Sequence, residues 1–370
     1  MTIRILHVFG TLNRGGAETL VMNIYRHIDR KKIQFDFVVH HKQEGAYEKE
    51  IRDMGGKIYR LSPYRLINHL SYTNSWNKLL KDHPEYKIVH CHKESIMSII
   101  MGAVKANGRI AIAHSHNTRH VSGYKGQIMG LLNKNIYDKS DFHFACSSEA
   151  GKWMFGDEKS DGDEFIVIKN GVDIEKYTYN PSIRAKIRKD LGLEDNKVIG
   201  HVARFNKVKN HTFLVDIFES LVEKDSSYRL ILLGDGELRK DIEGKVRDYG
   251  LSDKVIFMGS VGNVNEILQA TDIFVLPSLY EGMAISSIEA QAAGLKTFLA
   301  DTIDKKSKLT DLVEFIPIDK GVDPWVKALE TALPYERSDM SQEIKNAGFD
   351  IKETSKHLAD FYTKLMNKIN

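Results

Sequence analysis

Residues 272–301, DIFVLPSLYEGMAISSIEAQAAGLKTFLAD, decide the fold. Ile273 to Leu276 is a short apolar run of strand type, and Pro277 to Gly282 is punctuated like a tight loop. A helical segment follows as far as Gly294, and Thr297 to Ala300 reads as the next strand. Strand, loop, helix and strand in that order make the repeating unit of a parallel sheet. Such a loop brings a helix N-terminus to the carboxyl edge of the sheet. There the backbone N–H groups around Gly282, Met283 and Ala284, together with the helix dipole, favour an anion, and phosphate fits best.

Two glutamates sharpen the reading. Glu281 stands at the mouth of the loop, and Glu289, eight residues on, is expected two turns further along the same helical face. Carboxylates accept hydrogen bonds from hydroxyl groups, so this arrangement suits a ligand with a diphosphate centre and a polyol at each end, as in a nucleotide sugar. The E-x7-E pattern, within PSLYEG and then EAQAAG, resembles the donor-site signature of retaining glycosyltransferases of family 4. That resemblance implies an α/β chain of the GT-B fold, with two Rossmann-like doubly wound domains facing a cleft. It implies an acceptor-side domain over residues 1–170, a nucleotide-sugar domain over 171–350, and a C-terminal helix, 351–370, packing back on the first domain.

The bulk properties agree with a globular two-domain chain: 370 residues, 42% hydrophobic, 28% charged, with a formal charge of only +3. That charge argues against a dedicated nucleic-acid binder. Cys91 and Cys146 sit in apolar strand-like runs and are expected as buried reduced thiols, which fits a cytoplasmic protein. The N-terminus MTIRILHVFG shows no cleavage-site pattern, and no run of about 18 apolar residues occurs anywhere, so neither a cleaved signal nor a membrane span is expected.

Ile3 to Phe9 reads as a buried strand that ends in GTLNRGGAE before a helix from Ala17 to Ile28. The glycines do not fall as G-x-G-x-x-G, which argues against a nicotinamide dehydrogenase. In the family resembled, a paired-glycine loop here faces the donor diphosphate and the acceptor, and Gly15 and Gly16 match it. Strands at Phe35 to His40, Lys57 to Leu61, Ile88 to His92 and Arg109 to Ser115, with helices near Ala46 to Met54 and Asn68 to Asp82, continue a βαβα pattern.

His90 and His92 share one face of a strand, and His114 and His116 share a face of the next. Four histidines invite a zinc reading, but no carboxylate or cysteine completes a ligand spacing, and no metal is expected. The family places a histidine at this strand end against the reacting sugar. His116 is the match, with His114 as the fallback and Asn117 beside it on the acceptor side.

Between Lys105 and Lys139 the charged residues are Lys105, Arg109, Arg119, Lys125, Lys134 and Lys139 against the single acid Asp138, and Ile128, Met129, Leu131, Leu132 and Ile136 form an apolar stripe. Such a segment suits peripheral contact with an anionic membrane on its inner face, or a stripe turned to the core. Asp161-Gly162-Asp163 lies among other acids in the loop GDEKSDGDE and is read as loop composition, not as a metal motif.

Past the Asn170-Gly171 turn, Tyr177 to Pro181 reads as a linker, with a helix from Ile183 to Leu191 after it. A second sheet begins at Val198 to Ala203. In the loop RFNKVKN, Arg204 and Lys209 bracket a diphosphate, the guanidinium fixing geometry and the ammonium acting as a point charge. Gly234, in GDGELR, is either a turn before a helix or a contact near the nucleotide base. A last helix from Ile351 carries Leu358, Phe361, Leu365 and Ile369 at docking spacing.

The resemblance therefore implies a metal-independent, retaining transfer from a UDP-sugar to a hydroxyl of a glycan or lipid-linked glycan, as in bacterial exopolysaccharide and capsule assembly. It assigns His116, Glu281, Arg204 and Lys209 to catalysis, and Glu289 to the ribose. The chain departs from the family at Met283 to Ser287, where Phe-Pro is common, and at Lys296, where proline is usual. The rival readings are a nucleotide-sugar epimerase or hydrolase of similar fold and a non-catalytic nucleotide-sugar-binding subunit.

Overall fold

The apolar runs pair into two parallel sheets, one in each of two units formed by Met1–Gly171 with Ile351–Asn370 and by Val172–Asp350. The computed structural model describes residues 2–117, 130–133, 135–157 and 164–369. Arg119, Lys125, Ile128, Met129, Lys134 and the Asp161-Gly162-Asp163 string lie outside them.

The first sheet contains β1 (Ile3–Val8), β2 (Ile33–Val39), β3 (Ile58–Arg60), β4 (Ile88–Cys91), β5 (Ile110–Ser115), β6 (Phe142–Ala145) and β7 (Phe165–Val167), in the order β3-β2-β1-β4-β5-β6-β7. Every residue of β2 and β4 is buried, as expected where helices cover both faces of a parallel sheet. The Gly16–His27 helix buries Leu20, Val21, Ile24 and Tyr25 in the same apolar cluster that receives Leu358, Tyr362 and Leu365 of the Ile351–Ile369 helix. In that last helix Tyr362 is fully buried, Phe361 packs edge-on against Phe142, and Ile369 is left exposed, so the docking face is rotated from the expected one. The rotation has a polar cause, since Tyr362 Oη lies 2.6 Å from His90 Nδ1.

A helix at Met97–Ala106 separates β4 from β5 and was not legible. Its sequence, MSIIMGAVKA, is apolar almost all round and buries Met97, Ile100, Met101 and Val104, so it carries no polar stripe to betray its period. In the basic segment, Ile136 is buried and Leu132 packs on the core, while Leu131 is exposed. Lys105 is paired with Asp141 at 3.0 Å. The described part of the stripe thus turns mostly inward.

The second sheet contains β8 (Lys197–Val202), β9 (Tyr228–Leu233), β10 (Val255–Gly259), β11 (Ile273–Leu276), β12 (Lys296–Ala300) and β13 (Val313–Ile316), in the order β10-β9-β8-β11-β12-β13. The segment expected as a linker is more ordered than that. Ile174–Tyr177 is a helical turn, and the next helix starts at Pro181, two residues early, because Asn180 caps Ser182 N and Ile183 N while proline occupies the first turn. Of the cysteines, Cys91 is buried in β4, but Cys146 follows β6 and is only partly buried; both are free. No helix among the described residues is long and apolar enough to cross a membrane.

Candidate active site

Each sheet reverses its strand order once, between β1 and β4 in the first unit and between β8 and β11 in the second. Loops leaving the carboxyl ends of such strands diverge, and the crevice between them is where an open α/β sheet receives a ligand.

In the second unit the loop after β8 is folded by its own side chains. Asn206 Oδ1 accepts from Lys209 N at 3.1 Å, and Asn210 turns the chain with φ of 56° into the His211–Lys224 helix. Two bonds tie this loop to the one after β11: Asn210 Nδ2 donates to Pro277 O at 3.2 Å and Leu279 N donates to Val208 O at 2.8 Å. The result is an ion pair between Lys209 Nζ and the Glu281 carboxylate, both side chains being largely buried. Arg204 does not join them. Its side chain is 71% exposed, and the guanidinium reaches Glu237 at 3.2 Å.

Glu281 and Glu289 do not share a helical face. The helix is confined to Ile285–Ala292, and Glu281 lies in a short parallel bridge with Ile303. Ala284 occupies the cap position with no side-chain cap, so the N-terminal dipole is left for a ligand, while Gly282 is exposed before it. Glu289 is half-buried and accepts a hydrogen bond from Tyr177 Oη at 2.7 Å. Burial pushes its carboxyl up to about 7, against the opposing effect of that bond.

Gly234 closes the loop after β9, with φ of 130°, and a β-carbon there would lie 2.0 Å from Ala203 O. It fits β9 against the β8 loop, and the helix itself begins only at Arg239. The two departures from the family pattern are also explained. Met283 and Ile285 pack on the apolar cluster of Val172, Ile174, Ile288 and Ile344. Lys296 N donates to Tyr335 Oη at 3.0 Å, a bond that proline cannot make.

In the first unit Gly15 precedes the Gly16–His27 helix, and a β-carbon on it would fall 2.3 Å from Glu18 Oε2. The glycine leaves room for that carboxyl, whose pKa burial raises. Lys93, just past β4, brings Nζ over Gly10.

The histidines form an array larger than the expected four. His7 Nδ1 lies 3.0 Å from His92 Nε2, and His92 Nδ1 lies 2.8 Å from His116 Nε2. Beside this run, Tyr362 Oη, His90 and His114 make a second, with His90 Nε2 and His114 Nδ1 3.1 Å apart. Desolvation lowers all five imidazoles, His7 and His116 to about 3, so the array is neutral. Three neutral rings carry three N–H protons, and two hydrogen bonds between them use two. One end of the first run therefore carries an N–H and the other a lone pair. His116 Nδ1 and His114 Nε2 have no hydrogen-bond partner among the described residues.

Two triplets, His7-His90-His92 and His92-His114-His116, hold nitrogens within 4.8 Å of one another. Nitrogens around a tetrahedral ion bound at about 2.0–2.1 Å stand roughly 3.3 Å apart. The paired nitrogens here are closer and hydrogen-bonded, and among the described residues no carboxylate joins either triplet to offset a buried dication.

Comparison with known proteins adds to this geometry. Residues 14–176 match the profile described as Glycosyltransferase Family 4, and residues 183–331 match that for Glycosyl transferases group 1. EpsF of Bacillus subtilis (strain 168), assigned as a glycosyltransferase, is 31% identical over 97% of this chain and 96% of its own. The chain belongs to glycosyltransferase family 4. The capsular polysaccharide biosynthesis glycosyltransferase CapH of Staphylococcus aureus is 24% identical to this glycosyltransferase over 97% of this chain and 98% of its own. In fold, the glycosyltransferase is similar to the Anabaena protein Alr3699/HepE crystallised with UDP and glucose, with a TM-score of 0.77 at 18% identity over 98% of this chain and all of the other. The fold is GT-B, with two doubly wound parallel sheets.

Sequence reasoning passed over four residues that shape the glycosyltransferase's strand ends. His7 is hidden in a mostly apolar strand, and Tyr362 is set 272 residues from its partner His90. Lys93, between His92 and Glu94, belongs to no motif that marks it. Glu94 fixes the β5 end, accepting from His116 N at 2.6 Å, Asn117 N at 3.0 Å and Asn117 Nδ2 at 2.6 Å. An acid directly after the HCHK strand end was the available signal for it.

Proposed function

We propose that this glycosyltransferase moves a sugar from a UDP-sugar to an acceptor hydroxyl, with retention at the anomeric carbon and without a metal, in the assembly of a surface polysaccharide. The observation that carries the reading is the Lys209–Glu281 pair at the strand reversal of the second sheet. A cation and a carboxylate held there together match the two halves of a sugar diphosphate. The donor's phosphates take Lys209, and its sugar hydroxyls take Glu281, so each group exchanges one partner for another as the ligand arrives.

As the glycosidic C–O bond breaks, negative charge builds on the departing diphosphate. Lys209, the open N-terminus of the Ile285–Ala292 helix and, once swung from Glu237, Arg204 stabilise it. The backbone N–H groups of Gly282, Met283 and Ala284 face the same charge, Gly234 shapes the nearby nucleotide pocket, and Glu289 holds the ribose. On the first unit, Gly15 and Gly16 leave space for the diphosphate, and His116, kept neutral, donates to or accepts from a sugar hydroxyl, with His114 and Asn117 on the acceptor side. The acceptor oxygen bonds to the anomeric carbon on the face the leaving group departs from, and its proton passes to the departing phosphate oxygen, so UDP leaves with the balance closed.

The UDP complex of HepE and the capsule assignment of CapH support donor and pathway class. We place the enzyme in the cytoplasm, peripheral to the inner face of the membrane, with a glycan or lipid-linked glycan as acceptor. The test is product stereochemistry: an α-linked UDP-sugar gives an α-linked product by NMR, with EDTA present. A β-linked product, free sugar alone, or loss of turnover in EDTA overturns the corresponding part.

A further inference from the structure

Three of the four most exposed large apolar side chains among the described residues are gathered in one turn, Leu131 being the fourth. Leu66, Ile67 and Leu70 are 66%, 92% and 79% exposed, within a segment that leaves the carboxyl end of β3 and enters the His69–Asp82 helix. The turn is held rigidly. Asn68 Oδ1 accepts from Arg65 N at 2.7 Å, and Asn68 Nδ2 donates to Pro63 O at 3.0 Å. Tyr64 packs edge-on against buried Tyr72, whose hydroxyl lies 2.7 Å from His40 Nε2. The helix turns Tyr72, Trp76, Leu79 and Leu80 into the core, so Leu70 stands off the buried face by construction.

The chain segment that carries this turn has charges of one sign. From Gly55 to Lys81 the chain carries Lys57, Arg60, Arg65, Lys78 and Lys81 and no acid. Arg65 and Lys42 are exposed at the same strand edge. The nearby acids already have partners: Glu44 with Arg52, and Glu48 with Arg60 and Arg52. Three bare aliphatic side chains on a rigid, cationic platform match an interface whose surface is anionic and whose interior is hydrocarbon. A soluble protein partner would have to supply both an acidic rim and an apolar socket, whereas anionic phospholipid offers both together.

We propose that the Tyr64–Leu70 turn is the docking surface of this chain for an anionic phospholipid bilayer. Leu66, Ile67 and Leu70 insert at the headgroup boundary, and Arg65 and Lys42 meet lipid phosphates. This deepens the reading of a lipid-linked acceptor and rests on it for its purpose, but binding is measured without turnover, so the two fail separately.

The experiment is co-sedimentation of the full chain with vesicles of phosphatidylcholine alone and of phosphatidylcholine with phosphatidylglycerol, at low and high salt. The wild type binds the anionic vesicles and is released by salt. The triple variant Leu66→Ser, Ile67→Ser, Leu70→Ser lowers the partition coefficient by about tenfold or more. Arg65→Glu weakens only anionic binding. UDP-sugar binding and thermal melting are unchanged in both variants, because the altered side chains touch solvent. Wild type that binds neither vesicle, or a triple variant that binds as the wild type does, overturns the proposal. So does a wild-type dimer in size-exclusion chromatography that the triple variant abolishes without any vesicle binding, since the surface would then serve self-association.

Discussion

Mild acid should unfold the first unit well before the second. His7, His40, His90, His92 and His114 are buried there and His116 is partly so, all with pKa values lowered by desolvation, His7 and His116 to about 3 and His40 to about 4. Unfolded, each returns to its ordinary value of about 6.5, so below that pH the unfolded chain binds more protons and stability falls as pH falls. Between about pH 7 and 5.5 each buried neutral histidine loses ~1.2 kcal/mol, a figure set by the unfolded value and insensitive to how low the folded one lies. Together the six give roughly 7 kcal/mol, offset in part by Glu18 and Glu94, whose raised carboxyls act in the opposite sense. That loss rivals the whole stability of a typical domain, about 5–15 kcal/mol.

In the second unit His201 and His211, lowered to about 4 and about 2, remove about 2.4 kcal/mol, but Glu289, raised to about 7, returns ~1.6 kcal/mol. Urea unfolding of the full chain at the two pH values, read by limited proteolysis and mass spectrometry, separates the units. Peptides of β1, β4 and β5 should lose their midpoint at the lower pH while those of β8 and β11 keep it. Equal shifts in both units, or none, would refute the neutral-array reasoning.

Four further outcomes are expected. Donor affinity should rise through about pH 7 as Glu289 ionises and can accept ribose hydroxyls, and Glu289→Gln should flatten that profile in a titration of dissociation constant against pH. Lys209→Met should lower kcat/KM by about 10²-fold or more, and Arg204→Ala by less, since Arg204 begins exposed and paired with Glu237; steady-state kinetics rank them. Gly234→Ala should cost about 2 kcal/mol or more in a urea melt, because both φ and Ala203 O oppose a β-carbon. Tyr362→Phe should destabilise the first unit by about 1–3 kcal/mol by orphaning His90 Nδ1, without altering UDP binding.

How far the sequence could be read depended on the distance over which each feature acts. The strand, loop and helix units were plain because alternation, glycines and β-branched runs are local signals, and the Asp272–Asp301 stretch showed β11, its loop and β12 directly. The Met97–Ala106 helix was invisible because a segment apolar on almost every face shows little period to detect. Within the site, Lys209 and Glu281 could be nominated separately, but their pairing follows from β8 and β11 being neighbours across the strand reversal. Glu281 reads as a loop residue, as it is, but its departure from the face of Glu289 could not be seen, since its bridge partner Ile303 lies beyond β12. The histidine array was half legible: the two-residue period of His90 and His92 gave a face, whereas His7 and Tyr362 join it only through sheet order and the return of the last helix.

The most direct test of the account is thermal stabilisation by a panel of UDP-, GDP- and ADP-sugars, with and without EDTA, in the wild type and in Lys209→Met and Glu281→Ala. The account predicts stabilisation by a UDP-sugar that survives EDTA and is lost in both variants. Stabilisation that persists in both, that requires a metal, or that no nucleotide sugar produces would contradict it.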